Sequence, residues 1–231
     1  MHHIRMTYQE LAPLLKTGDI MLMHGTGTIG EMIGVLTGSR FIHMSMIVRS
    51  EDLGMTPGQI LLWESTPFTI TEDAQLLKPK AGPTLVNMEA RIQDEVSAGL
   101  FDLFVVRRLA HLLTADQLSQ LVKVVSDVHP DAFPKTWLMF VKGAIGRFFN
   151  IEIDRKTFFC SELVAYTYQG IGLLDDAHPA DFFEPKDFST QGHLKLLCDQ
   201  SFGEDIYLET GIYGKTSAAA EASRDMDKSA E

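Results

Sequence analysis

Apolar residues along this chain gather in short runs, and the runs alternate between strand-like and helix-like spacing. Ile20-Met21-Leu22-Met23, entered through Asp19, is an apolar run of strand length, and a strand is expected over 19–23. His43 to Val48 and Ile60 to Ser65 are two more, separated by a segment whose Gly54, Pro57 and Gly58 are turn residues. Leu100 to Arg107 is a fourth strand candidate and Asp205 to Glu209 a late one. Helical patterning opens at Tyr8 and runs to Leu15, where Lys16-Thr17-Gly18 stops it. Thr28, followed by Glu31, has the form of a capping box for a helix through Leu36, ended by Thr37-Gly38-Ser39. Thr114, with Asp116 and Gln117 behind it, caps a helix whose Leu118, Leu121, Val122 and Val125 recur at helical spacing through Val128. Pro130 and Pro134 break that pattern, and Trp137 to Phe149 resumes it with interruptions near Gly143 and Gly146. Cys160 to Gln169 is the last helix, with Gly170 placed to end it, and His24-Gly25-Thr26-Gly27 reads as a loop. These elements predict an α+β fold, an antiparallel sheet packed against helices on one side.

A chain of 231 residues with 45% hydrophobic residues is long enough for one domain with a real core. One domain is expected over 1–213, with a helical insert around 110–155. The Ala-, Ser- and charge-rich stretch 214–231 has almost nothing to bury and is expected to be disordered. The net charge of −11 lacks the basic face of a nucleic-acid binder and disfavours anionic membrane surfaces, so no nucleic-acid partner is expected. Neither a signal-peptide core near Met1-His2-His3-Ile4-Arg5 nor an apolar run of 18 residues is present. A cytoplasmic protein without an integral membrane segment is the expectation, with non-classical export left open. Two cysteines, Cys160 and Cys198, make neither a disulfide framework nor a pair at zinc-ligand spacing, so no metal and no cofactor is expected.

Cys160 carries the chemistry that this pattern leaves over. In Phe158-Phe159-Cys160-Ser161-Glu162-Leu163-Val164 a thiol sits where an aromatic stretch gives way to a helix. Unpaired N–H groups and the positive end of the helix dipole favour thiolate there, the nucleophilic form. Taken alone, a lone cysteine is more often a small buried hydrophobe. A nucleophile needs a base and the base an orienting group. Of the eight histidines, His2 and His3 lie at the chain end, and His111, His129, His178 and His193 read as surface residues. His43 opens its strand and shares a face with Ser45 and Ile47. A hairpin centred near Leu53 and Gly54 would set His43 opposite Glu64 and Ser45 opposite Leu62. A carboxylate there can hold one imidazole tautomer; a slip of one residue would turn Glu64 to the other face.

Three segments resemble the circularly permuted NlpC-type papain-fold proteins, the YiiX-like group. Lys16-Thr17-Gly18-Asp19-Ile20 is similar to the opening Gly-Asp strand of that group. Thr37 through Val48, Thr-Gly-Ser-Arg-Phe-Ile-His-Met-Ser-Met-Ile-Val, resembles the segment that carries its histidine. Phe159-Cys160-Ser161-Glu162-Leu163-Val164 resembles the helix start that carries its nucleophile, and Pro185-Lys186-Asp187-Phe188 its late Pro-x-Asp stretch. The resemblance spans most of 16–190 and implies a permuted papain-like fold in which histidine precedes cysteine. It implies Cys160 as nucleophile, His43 as base and Glu64 as orienting residue. A sister branch of acyltransferases places its cysteine in Asn-Cys-Glu-His, which Phe159-Cys160-Ser161-Glu162 is not.

The expected activity is thiol hydrolysis of an amide bond in a peptide or small molecule. Acyl transfer or ester and lipid hydrolysis on the same fold is the alternative, and an inactive substrate-binding module is the second. The Cys160 backbone N–H would contribute to an oxyanion hole. A further donor is sought between Asp19 and Gly27, with Asp19, His24 and Thr26 as candidates. The glycines there lack the Lys-Ser/Thr ending of a Walker loop. Phe148-Phe149, Phe158-Phe159 and Phe182-Phe183 are read as core, or as lining for an acyl chain.

Overall fold

The computed structural model describes residues 4–26, 39–67, 69–130 and 159–211. The helices expected at 28–36 and 137–149, and the 214–231 tail, lie outside these residues. The strands are β1 (Ile4–Met6), β2 (Ile20–Gly25), β3 (His43–Arg49), β4 (Ile60–Thr66), β5 (Gly82–Asn87), β6 (Phe101–Arg107) and β7 (Ile206–Leu208). They form one sheet in the order β1-β7-β6-β2-β3-β4-β5. The fold is α+β. The sheet departs from the antiparallel expectation at one edge, where β1 pairs parallel with β7. The helices are α1 (Tyr8–Leu11), α2 (Met88–Ala98), α3 (Ala115–Val128) and α4 (Cys160–Gly170).

The central strands are apolar without alternation, and burial explains why. Every residue of β4 is buried, as are six of the seven in β3. A sheet covered on both faces removes the need for a polar face. One face of the sheet, with Leu22, Met46, Trp63 and Val105, packs against Leu121 and Val125 of α3 and Leu163, Val164 and Tyr168 of α4. The other, with Met21, Ile47, Leu62 and Phe104, packs against Tyr8 and Leu11 of α1 and Met88 and Ile92 of α2. The expectation of helices on one side is therefore corrected. The unbroken runs in β2, β3 and β4 already carried that information.

Local chemistry sets the ends of the helices. Thr7 and Glu10 form a capping box at α1, and Thr114 and Gln117 form the one expected at α3. After Leu11 the chain tightens into a 3-10 turn over Ala12–Leu14, so the predicted single helix is two pieces. Gly170 is the last residue of α4 and not the one that follows it. A Cβ there would stand 2.7 Å from the Val124 side chain, so glycine lets α3 and α4 approach closely. The left-handed turn falls two residues on, at Gly172 with φ of 72°.

Two side-chain bonds dock α4. Trp63 Nε1 in β4 donates to Thr167 Oγ1 at 3.0 Å, and the Tyr168 hydroxyl donates to the Gly18 carbonyl. Among the described residues no helix is long and apolar enough to cross a membrane.

Candidate active site

His43 stands at the first residue of β3 and Cys160 at the first residue of α4. The docking of α4 brings the two together, and the Cys160 sulfur and the His43 ring lie close enough for each to shift the charge state of the other. Glu64 completes the set from β4: its Oε2 lies 2.9 Å from His43 Nε2. With Nε2 on the carboxylate, Nδ1 is the ring nitrogen left for the sulfur. His43 is 8% exposed and Glu64 fully buried, while Cys160 is the most exposed residue of the three. The Phe101 ring packs against the imidazole at 6.0 Å between centroids.

The register differs from the expected one by two residues. Met46 pairs with Trp63 and Ile47 with Leu62, and extending this ladder sets Glu64 opposite Ser45 and diagonal to His43. Side-chain period is two, so a two-residue shift keeps Glu64 on the face of His43. It also adds a partner: Ser45 Oγ donates to Glu64 Oε2 at 2.8 Å. The other carboxylate oxygen, Oε1, accepts from Arg91 Nε of α2 at 2.7 Å. Arg91 in turn bonds Glu95 one turn further along the helix. Ser45 and Arg91 were not singled out from the sequence. Ser45 shared the face of His43, which was a usable signal. Arg91 lies in a helix that was not predicted.

The charges of the site are mutually dependent. Burial works against a charged His43, but the Cys160 sulfur and the Glu64 carboxylate outweigh it and raise its pKa to about 9. Burial likewise opposes ionised Glu64, yet the Arg91 and His43 charges beside it lower its pKa from 4.5 to about 2. For Cys160, burial is overcome chiefly by the His43 charge beside it, with the nearby Met44 and Ser161 N–H groups adding to the effect. Its pKa falls below the ordinary thiol value. Phe159, the residue before the helix, has no side-chain acceptor to cap the helix amides. Glu162 folds back onto the Phe159 N–H at 3.0 Å and steadies that first turn.

The three candidates for a further oxyanion donor are placed elsewhere in the hydrogen-bond network. Asp19 is fully buried, accepts the Lys16 and Leu109 amides at 2.9 and 2.8 Å, and lies 3.6 Å from Arg108. It ties the start of β2 to the end of β6. Burial raises its carboxyl to about 6 against those amides. Asp19→Ala is expected to cost about 2–3 kcal/mol in chemical denaturation by stranding two buried amides, and to leave Cys160 alkylation unchanged. His24 is in β2 rather than a loop, and its Nδ1 pairs with Asp102 at 2.7 Å on the surface. Thr26 donates its amide to the Leu100 carbonyl at 2.9 Å and its hydroxyl to that of Gly99. Both of its donors are committed.

His129 is also misread as a surface residue. It is buried, bonds Asp73 at 2.7 Å and lies over Trp63 at 6.2 Å between ring centroids. Its partner is 56 residues away in a segment with no predicted element, so nothing local announced it. Of the phenylalanine pairs, Phe183 is core, Phe182 is 57% exposed against His178, and Phe159 is half-buried beside Cys160. Phe148, Phe149 and Phe158 lie outside the described residues. Among the described residues, no three His, Cys, Asp or Glu side chains gather to hold a metal ion.

No protein-family model and no curated protein matches the chain. Among solved structures it is similar to the crystal structure of the metalloprotein YiiX from Escherichia coli O157:H7. The TM-score is 0.41 with 15% sequence identity, over 81% of this chain and 96% of that one.

Proposed function

We propose that this protein is a thiol hydrolase that cleaves an amide bond, with Cys160 as nucleophile, His43 as acid and base, and Glu64 as the group that orients the imidazole. The observation that carries this reading is the buried Glu64 carboxylate 2.9 Å from His43 Nε2, with Cys160 at the head of α4 interacting with the same imidazole. The order along the chain, His43 then Glu64 then Cys160, suits a permuted papain-like arrangement.

The steps follow from the groups present. The Cys160 thiolate attacks the carbonyl carbon, and the carbon–oxygen π pair moves onto oxygen, where the Cys160 N–H at the helix start stabilises it. Collapse of the tetrahedral intermediate breaks the carbon–nitrogen bond, and imidazolium gives its proton to the departing amine. Water then loses a proton to neutral His43 and attacks the thioester. The carbon–sulfur bond breaks, leaving acid, thiolate and imidazolium. Glu64 stabilises the imidazolium at both stages, and Ser45 and Arg91 hold Glu64.

Thiol alkylation tests the pair without a known substrate. At pH 6 iodoacetamide is expected to label Cys160 ahead of the exposed Cys198, mapped by mass spectrometry. In His43→Ala the Cys160 rate at this pH should fall on the order of tenfold or more, since each pKa unit removes tenfold of thiolate. Equal labelling of both thiols, unchanged by His43→Ala, would overturn the mechanism. The pH profile has a definite sign. The ion pair forms above the lowered Cys160 pKa and is lost as His43 deprotonates near 9. Turnover should therefore be bell-shaped, with its alkaline limb near 9. Glu64→Gln removes a charge that favours imidazolium and should move that limb to lower pH.

A further inference from the structure

Phe101 lies on a face of β6 that regular alternation would not give it. Leu103 and Val105 belong to the side of the sheet that packs on α3 and α4, and Phe104 and Val106 to the side that packs on α1 and α2. Counting back in twos, Asp102 should share the face of Phe104, and Phe101 that of Leu103. Phe101 instead packs with the Phe104 cluster, its ring 6.4 Å from the Phe104 ring and 6.0 Å from the His43 imidazole. The ladder shows the cause. Leu103 pairs with His24 and Phe101 with Gly25, so Asp102 is an extra residue in β6 with no opposite number in β2. An extra residue of this kind is a β-bulge, which re-aims the side chains beyond it.

Three contacts hold the bulge. Asp102 Oδ1 lies 2.7 Å from Nδ1 of His24, the residue opposite Leu103. Thr26, just past β2, donates its amide to the Leu100 carbonyl at 2.9 Å and its hydroxyl to the Gly99 carbonyl. Gly99 itself is in the left-handed conformation that ends α2, so the path from α2 into β6 is fixed at each residue. Gly25, across from Phe101, brings no side chain to the space beside the ring.

The imidazole gains a restraint that Glu64 does not give it. Glu64 holds Nε2, one corner of the ring, and χ2 of an imidazole is a broad torsion. A ring held at one corner can swing Nδ1 away from the sulfur. Phe101 lies at 44° to the imidazole plane, at a separation within the ~4.5–7 Å of attractive aromatic pairs, and blocks the swing on its side. We propose that Phe101 is a positioning residue for His43, turned onto the imidazole by the bulge at Asp102 and kept there by the His24–Asp102 pair, a role that rests on the catalytic reading of His43. A displacement of ~1 Å at a reacting group can cost up to about 100-fold in rate, so a flat wall beside the base has a kinetic effect beyond its packing.

The test compares two substitutions in the full-length protein. Phe101→Leu keeps apolar bulk but loses the flat ring, and Phe101→Tyr keeps both. In Phe101→Leu the His43 ring protons, followed by NMR, should lose the shift imposed by a neighbouring aromatic ring. Alkylation of Cys160 by iodoacetamide at pH 6 should slow by about fivefold, less than in His43→Ala because the imidazole is still present. Phe101→Tyr should stay near wild type in both, whereas a role in packing alone would be met by leucine. Asp102→Ala removes one partner of an exposed pair that adds little to stability, so thermal unfolding should hardly change. Its His43 ring signals should nevertheless move in the direction seen in Phe101→Leu. A wild-type alkylation rate in Phe101→Leu, or an equal loss in Phe101→Tyr, would overturn the positioning role. Unmoved ring signals in Asp102→Ala would overturn the part given to the His24–Asp102 pair. If His43→Ala slows alkylation and Phe101→Leu does not, the positioning role fails and the catalytic pair stands; if His43→Ala has no effect, both fail.

Discussion

Cys160→Ala is expected to abolish amide hydrolysis, with a loss on the order of 10^4-fold or more in kcat, and His43→Ala should do nearly the same. The reason is that the two residues act as a unit. Without His43 the half-buried thiol loses the charge that offsets its burial, and returns to the protonated form. Without the sulfur, the imidazolium has nothing to activate. The double variant should therefore be little worse than either single one, a non-additivity that separates a dyad from two independent contributors. Glu64→Gln should cost less, because it keeps the shape and one acceptor while losing the charge, and its clearest mark is the shifted alkaline limb. The measurement is kcat and KM on an amide substrate found by profiling wild type against Cys160→Ala. A Cys160→Ala protein that retains more than about a hundredth of wild-type kcat would sink the nucleophile assignment.

Cys160 and His43 were legible as a candidate pair because each is announced locally. A cysteine at an aromatic-to-helix junction and a histidine at the head of an apolar strand are sequence-near signals. Glu64 was reached through a hairpin, and the hairpin register was wrong by two residues. The face survived, because turn length moves the register while the period-two alternation of the strand is kept. The turn itself explains the shift: a 3-10 segment over Ser50–Leu53 and a left-handed Gly54 occupy the place where a tight hairpin was assumed. The residues that anchor Glu64 were harder to see. Met88, Arg91, Ile92 and Glu95 are the inward positions of α2 and have helical spacing, but two of the four are charged, so no apolar stripe shows. The carboxylate that Arg91 neutralises beyond its own helix, Glu64, lies on β4, and only the folded chain brings it near.

β1 was missed for a different reason: it has three residues, too few for a period, and is held by pairing with β7, the late strand expected over 205–209. β5 contains Pro83, which argues against a strand locally; it is tolerated because β5 is the last strand of the sheet, with an outer edge that carries an isolated bridge from Val86 to Asp73 and no further named strand. Asp19 has a structural task the sequence did not show: beside its candidacy as a substrate-binding or oxyanion residue, it is a buried acceptor for the Lys16 and Leu109 amides, the second 90 residues away in sequence. A carboxylate at a strand entrance satisfies the chain ends that meet there, and the sequence does not say which ends those are.

Arg91→Ala is expected to be the most destabilising single change at the site, by about 3–5 kcal/mol in chemical denaturation at pH 7. It leaves Glu64 fully buried with His43 and Ser45 only, and strips Glu95 of its partner. The effect is one of removing half of a buried ion pair, which costs more than the pair contributes. Arg91→Lys keeps the charge but cannot reach Glu64 and Glu95 through a rigid fork, so an intermediate loss is expected. The pH dependence distinguishes this from lost packing. Glu64 has a folded pKa lowered to about 2 from 4.5. Its ionised form thus contributes stability that is fully present above 4.5 and is lost as pH falls toward about 2. The deficit of Arg91→Ala should therefore be largest above that window and shrink as the pH drops through it, because protonated Glu64 no longer needs the guanidinium. A deficit below about 1 kcal/mol at pH 7, or one of constant size across the window, would show that Arg91 serves the fold as a packed side chain and not as the charge that holds Glu64 in place for His43.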